Sequence, residues 1–142
     1  MIILDANILL YAYTPTAVEH ARARACLEEL LSGPSPVGLP WQSVLAFLRV
    51  ATNPRLSGAR FSLEHVLSIV DGWLAQPNIR MLGPADDHWP FLRKVIRDGQ
   101  VQGTLISDAH LAALTIEHGG VLYTADRDFA RFPGLRWTNP LT

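Results

Sequence analysis

Short apolar runs alternate along this chain with longer stretches in which apolar positions return every three or four residues, the pattern of buried strands separated by amphipathic helices. Residues 2–5 read as a buried strand, and residues 6–13 as a short helix stopped by Thr14-Pro15. Residues 17–31 carry apolar positions at helical spacing and close at Ser32-Gly33-Pro34. Val37-Gly38-Leu39 predicts a second strand, ended by Pro40. Trp41, Val44, Leu45, Leu48 and Ala51 then share one face of a helix over 41–52, broken by Asn53-Pro54. Ser62 is placed to cap a helix that reaches Gln76 and stops at Pro77. Residues 79–82 alternate as a third strand, and a helix over 86–97 ends near Gly99. A loop at 100–103 leads into a helix over 105–118, a strand over 121–123 and a last short strand around Arg136-Trp137-Thr138.

Strands that alternate with helices imply right-handed crossovers. The expected fold class is therefore α/β: a mainly parallel central sheet of four to five strands with helices on both faces. Residues 1–142 are expected to form one domain, with no repeat and no low-complexity segment. In such sheets ligands gather at the carboxyl ends of the strands.

Composition narrows the setting. Hydrophobic residues make up 49% of the chain, which argues against disorder. A single cysteine, Cys26, excludes an intramolecular disulfide framework and reads as a buried, inert thiol. No stretch approaches the roughly 20 apolar residues that span a bilayer, so a soluble protein of the cytoplasm with no membrane partner is expected. The formal net charge of −1 advertises no polyanion binding. Yet eleven of the twelve basic residues are arginines, Lys94 being the exception, and a local arginine patch holds phosphate without making the whole protein basic.

The candidate chemistry lies in four aspartates at the turns this pattern predicts. Asp5 ends the first strand, Asp108 opens a helical pattern, and Asp126 and Asp128 follow the strand over 121–123. Each alone is explained as a helix cap or turn residue. If the turns share one sheet edge, the carboxylates converge into an oxygen-only site suited to a hard divalent ion, and that chemistry points to phosphate esters.

Ile3-Leu4-Asp5-Ala6-Asn7-Ile8-Leu9-Leu10-Tyr11, Asp108-Ala109-His110-Leu111-Ala112-Ala113-Leu114 and Leu122-Tyr123-Thr124-Ala125-Asp126-Arg127-Asp128-Phe129 resemble the three sequence blocks of PIN-domain ribonucleases. The subgroup they look most like is the VapC toxins of toxin–antitoxin modules. The resemblance covers nearly the whole chain, including 39–55, and implies a PIN-like three-layer fold. It implies Asp5, Asp108, Asp126 and Asp128 as catalytic residues, with Asp5, Asp108 and Asp126 holding Mg²⁺, for which Mn²⁺ substitutes, and Asp128 assisting. Asn7, Ser107 and Thr124 are then outer groups that keep the carboxylates aimed. The family usually places a glutamate in the helix after the second strand, where this chain has Ala46; Gln42, one turn earlier, reaches the same edge without charge.

The implied activity is Mg²⁺-dependent cleavage of structured cellular RNA, tRNA or rRNA, by a toxin silenced by a cognate VapB-like antitoxin. A homodimer is also implied, with the apolar faces of 17–31 and 62–76 offered for dimerisation and antitoxin docking. A catalytically idle PIN module that binds RNA or protein is the main alternative, because of Ala46. A phosphoacceptor or haloacid-dehalogenase-type phosphatase fits less well: the position two after Asp5 is Asn7, and Lys94 lies mid-helix. His110 is assigned a packing or hydrogen-bonding role ahead of a general base. Arg49 and Arg55 suit RNA, a partner's carboxylate or plain surface equally. Trp41, Trp73, Trp89 and Trp137 are expected as core or interface anchors.

Overall fold

Ile2–Leu4 forms β1, at the centre of a five-stranded sheet. The computed structural model describes residues 1–57 and 61–142. Helix α1 (Ala6–Ala12) follows β1 directly, and α2 (His20–Ser32) leads back to β2 (Val37–Pro40). Three helices come next: α3 (Trp41–Ala51), α4 (Pro54–Ser57) and α5 (Leu63–Leu74). After them come β3 (Ile79–Leu82), α6 (His88–Gly99), α7 (Ile106–Glu117), β4 (Val121–Tyr123) and β5 (Trp137–Thr138). The strand order is β3-β2-β1-β4-β5, and every pairing is parallel. The chain therefore has the α/β sheet its alternating pattern predicts.

Two apolar cores flank the sheet. One packs Leu4, Ile8, Leu9, Leu27, Phe47 and Trp73 beneath α1, α2, α3 and α5. The other packs Ile3, Val95, Leu111, Leu114, Leu122 and Phe129 beneath α6 and α7. Successive residues Ile3 and Leu4 point to opposite cores, as the two-residue strand repeat requires. Side chains close over Gly38 so tightly that a Cβ there would lie 2.6 Å from Leu82 Cδ1 and 2.9 Å from Ile3 Cγ1, so any larger residue would force Leu82 and Ile3 to move.

Several boundaries differ from the sequence expectation. Helix α2 starts at His20 rather than at 17, because Ala17 and His20 close successive turns onto Thr14 and Ala17. Asn53-Pro54 does not merely break α3. Pro54 opens α4, where a missing N–H costs nothing, and Asn53 Oδ1 accepts the Arg55 N–H at 3.0 Å. Helix α6 runs over 88–99 rather than 86–97 and ends at Gln100, in the left-handed region (φ 52°). Ser62 caps α5 as expected, accepting the His65 N–H at 3.1 Å. Of the two apolar faces offered for docking, α2 turns Ala23 and Leu27 inward and exposes no large apolar side chain, whereas α5 leaves Leu63, Leu67 and Leu74 in solvent. The tryptophans divide likewise: Trp73 is buried, while Trp41 and Trp89 are exposed. Cys26 is half-buried rather than buried.

Candidate active site

Asp5 leaves the carboxyl end of β1 and becomes the N-cap of α1, with Oδ1 accepting the Ala6 N–H at 2.7 Å. Its other oxygen accepts the Thr124 hydroxyl at 2.7 Å and the Asn7 amide at 3.2 Å. Thr124 directly follows β4, the strand paired with β1, so adjacent strand ends bring residues 119 positions apart into contact. Thr124 Oγ1 in turn accepts the Asp126 N–H at 3.0 Å, and Asn7 Oδ1 accepts the Ala125 N–H at 3.2 Å. Asp5 and the Asp126 turn are thereby locked to one another.

The turn itself is a short 3₁₀ helix over Arg127–Arg131, which the sequence pattern did not announce. Asp126 caps it, accepting the Asp128 N–H at 2.9 Å. Facing it is the first turn of α7, where Asp108 is the third residue. Carboxylate oxygens of Asp108, Asp126 and Asp128 lie within 4.8 Å of one another. This trio overlaps the expected ligand set in Asp108 and Asp126, with Asp128 in the cluster and Asp5 beside it.

Crowding of like charges shows in the acidities. Burial pushes the Asp108 carboxyl up to about 6; Asp126, Asp5 and Asp128 add to the rise, and Arg131 opposes it. The Asp5 carboxyl is also raised, by burial first and by Asp126 to a lesser degree, against the lowering effect of its bonds to Thr124 and Ala6. Acids this reluctant to ionise are relieved by a bound cation. Two oxygens on opposite sides of a Mg²⁺ ion are about 4 Å apart, so the trio closes on such an ion with small side-chain adjustments. The donor set, all carboxylate oxygen, fits a hard divalent cation.

Gln42, in the first turn of α3, donates to the Ser107 carbonyl at 2.9 Å and so ties α3 to the start of α7. Its Oε1 is buried without a partner. Ser107, expected among the groups that keep the carboxylates aimed, here takes part through its carbonyl and with Gln42 rather than with an aspartate; its hydroxyl makes no hydrogen bond among the described residues. Ala46, one turn on, is half-buried.

His110 faces away from Asp108. Its Nδ1 lies 2.9 Å from His88 Nε2, and His88 Nδ1 lies 2.9 Å from Glu117 Oε1. With His88 a neutral imidazole that donates through Nδ1 to Glu117, its Nε2 accepts from His110 Nδ1. Burial lowers the His110 pKa first, and His88 adds to the fall. Sequence reasoning missed His88 and Glu117, since nothing local links positions 22 and 29 residues apart. A concavity of about 550 Å³ opens at the opposite edge of the sheet, beside Met1, Ile2 and Val37, but among the described residues Glu29 is its only ionisable side chain. The acidic side chains gather instead at the carboxyl ends of the strands.

Comparison with known proteins agrees in fold and in sequence. A family model described as PIN domain matches residues 2–135. Ribonuclease VapC43 of Mycobacterium tuberculosis is 40% identical over 141 residues, covering 99% of this chain and 96% of its own. Among solved structures, VapBC2 from Rickettsia felis, bound to a DNA fragment from its promoter, superposes with a TM-score of 0.71 at 18% identity, over 98% of each chain. VapC20 of Mycobacterium tuberculosis, a sarcin-ricin loop cleaving toxin, superposes with a TM-score of 0.67 at 16% identity, over 96% of this chain and 99% of its own.

Proposed function

This chain belongs to the PIN-domain family, and from that premise we propose that it is an endoribonuclease, the toxin of a toxin–antitoxin pair, using a divalent cation held by Asp5, Asp108 and Asp126 with Asp128 assisting. The observation that carries this reading is the convergence of Asp108, Asp126 and Asp128 within 4.8 Å, beside the Asp5 end of β1. Full-length likeness to a protein named ribonuclease VapC43 supports the activity. Likeness to a VapBC assembly supports a cognate antitoxin as the partner that silences it. Mg²⁺ is the proposed ion, with Mn²⁺ able to substitute, and structured RNA such as tRNA or rRNA is the proposed substrate.

The side chains divide the labour. Thr124 and Asn7 hold Asp5 in one rotamer, so that its remaining lone pairs stay aimed at the cleft. The Asp126 cap keeps Asp128 turned toward Asp108. A bound divalent cation supplies an activated water and offsets charge that builds on the phosphoryl and leaving oxygens.

The test is cleavage of purified bulk tRNA and rRNA by the purified chain. Activity is expected to vanish in EDTA, to return with Mg²⁺ or Mn²⁺, and not to return with Ca²⁺, whose longer and looser coordination leaves the attacking water misplaced. Cleavage that persists in EDTA overturns the metal-dependent reading.

A further inference from the structure

Arg131 lies outside every role assigned so far. It is exposed, and among the described residues its guanidinium has no hydrogen-bond or ion-pair partner. It ends the 3₁₀ helix that carries Asp128 near its start. In a 3₁₀ helix side chains three residues apart eclipse, so Arg131 stands on the same face as Asp128. That face looks onto Asp108 and Asp126. Arg127 belongs to the same helix but is turned by about 120° from Asp128.

We propose that Arg131 is a substrate contact, a fixed cation at the rim of the carboxylate cluster that grips the RNA phosphate presented for cleavage. The proposal rests on the ribonuclease reading above. Its physical need is simple: four carboxylates outweigh the two charges of one divalent ion, so a phosphodiester entering the site meets net negative charge. A guanidinium at the rim reverses that sign locally and matches two phosphate oxygens at once. A side chain held by no partner among the described residues is free to close on a ligand. The usual fate of a surface arginine, a weak ion pair with a neighbouring acid, is absent here.

Three variants separate the outcomes: Arg131→Gln, Arg131→Lys and the matched control Arg127→Gln, each checked for native circular dichroism. The catalytic efficiency of Arg131→Gln on bulk tRNA with Mg²⁺ is expected to fall about 10- to 100-fold. Arg131→Lys recovers part of the loss, and Arg127→Gln stays within about twofold of wild type. Calorimetric Mn²⁺ titration supplies the readout that a merely structural role would move the other way: without a nearby cation the carboxylates of Arg131→Gln bind Mn²⁺ as tightly or more tightly than wild type. Equal activity of Arg131→Gln and Arg127→Gln overturns the proposal, as does loss of Mn²⁺ binding together with cleavage. A wild-type chain inert on tRNA and rRNA overturns the ribonuclease reading itself, and the Arg131 contact with it.

Discussion

Asp108 carries the cost of the site in its own acidity. Its pKa stands at about 6 against an ordinary 3.8, so between those values the folded chain binds a proton that the unfolded chain has released. This group therefore favours folding below its unfolded pKa, and the advantage is lost as pH rises through about 6. Asp108→Asn is expected to raise the melting temperature of the metal-free protein at pH 7 and to leave it unchanged at pH 4, while abolishing cleavage; thermal scans at the two pH values check it. Metal must displace the same proton, so Mn²⁺ affinity measured by calorimetry should weaken as pH falls below about 6. Thr124 acts on the neighbouring acid. It is fully buried and its hydroxyl serves Asp5, Asn7 and Asp126 together. Thr124→Val keeps the shape but leaves the Asp126 N–H unpaired and takes one partner each from Asp5 and Asn7, for an expected loss of about 1–3 kcal/mol in denaturant unfolding and weaker Mn²⁺ binding.

Helices α6 and α7 are pinned by the Glu117, His88 and His110 chain, whose side chains lie almost wholly out of solvent at Glu117 and His88. Glu117 Oε2 already lacks a partner, so His88→Phe would leave the carboxylate with the long Ala85 N–H bond, 3.4 Å to Oε1, as its remaining contact among the described residues. A drop of about 1–3 kcal/mol in stability is expected, read by denaturant unfolding. Since His110 is engaged on the α6 side, His110→Gln should retain metal-dependent cleavage of tRNA; loss of cleavage with Mn²⁺ binding intact would restore a general-base role. Helix α3 presents the opposite case. Ala46 is half-buried, one turn after Gln42 with its unpartnered Oε1, so Ala46→Glu is expected to tighten Mn²⁺ binding with little change in melting temperature. Unchanged affinity with a large fall in melting temperature would place position 46 against the core.

At the scale of the molecule, an all-parallel sheet with a core on each face fixes where chemistry can occur. Every strand points the same way, so the turns after β1 and β4 open on one edge, and the start of α7 joins them there. The same rigidity holds four acids closer than they would choose to be without a cation. Binding confined to the folded chain stabilises it by mass action, so saturating Mn²⁺ should raise the melting temperature of wild type and not that of Asp108→Asn. Production of the chain in cells should arrest growth, and co-production of its antitoxin should relieve the arrest; growth curves with the Asp108→Asn variant as the inactive control measure both.

The strands, most of the helices and the four aspartates were legible in the sequence, because hydrophobic spacing and turn residues are local signals. Asp5 after β1, the Ser62 cap of α5 and the parallel α/β order all follow from neighbours a few residues away. The short helices at 54–57 and 127–131 escaped, since single turns carry too few positions for a period to show. Tertiary structure alone decided which carboxylates meet, that His110 turns to His88 rather than to the cleft, and that the turn carrying Asp128 comes to face Asp108. Those facts depend on contacts between residues far apart in the chain, set by strand register and helix packing, and no local pattern encodes them.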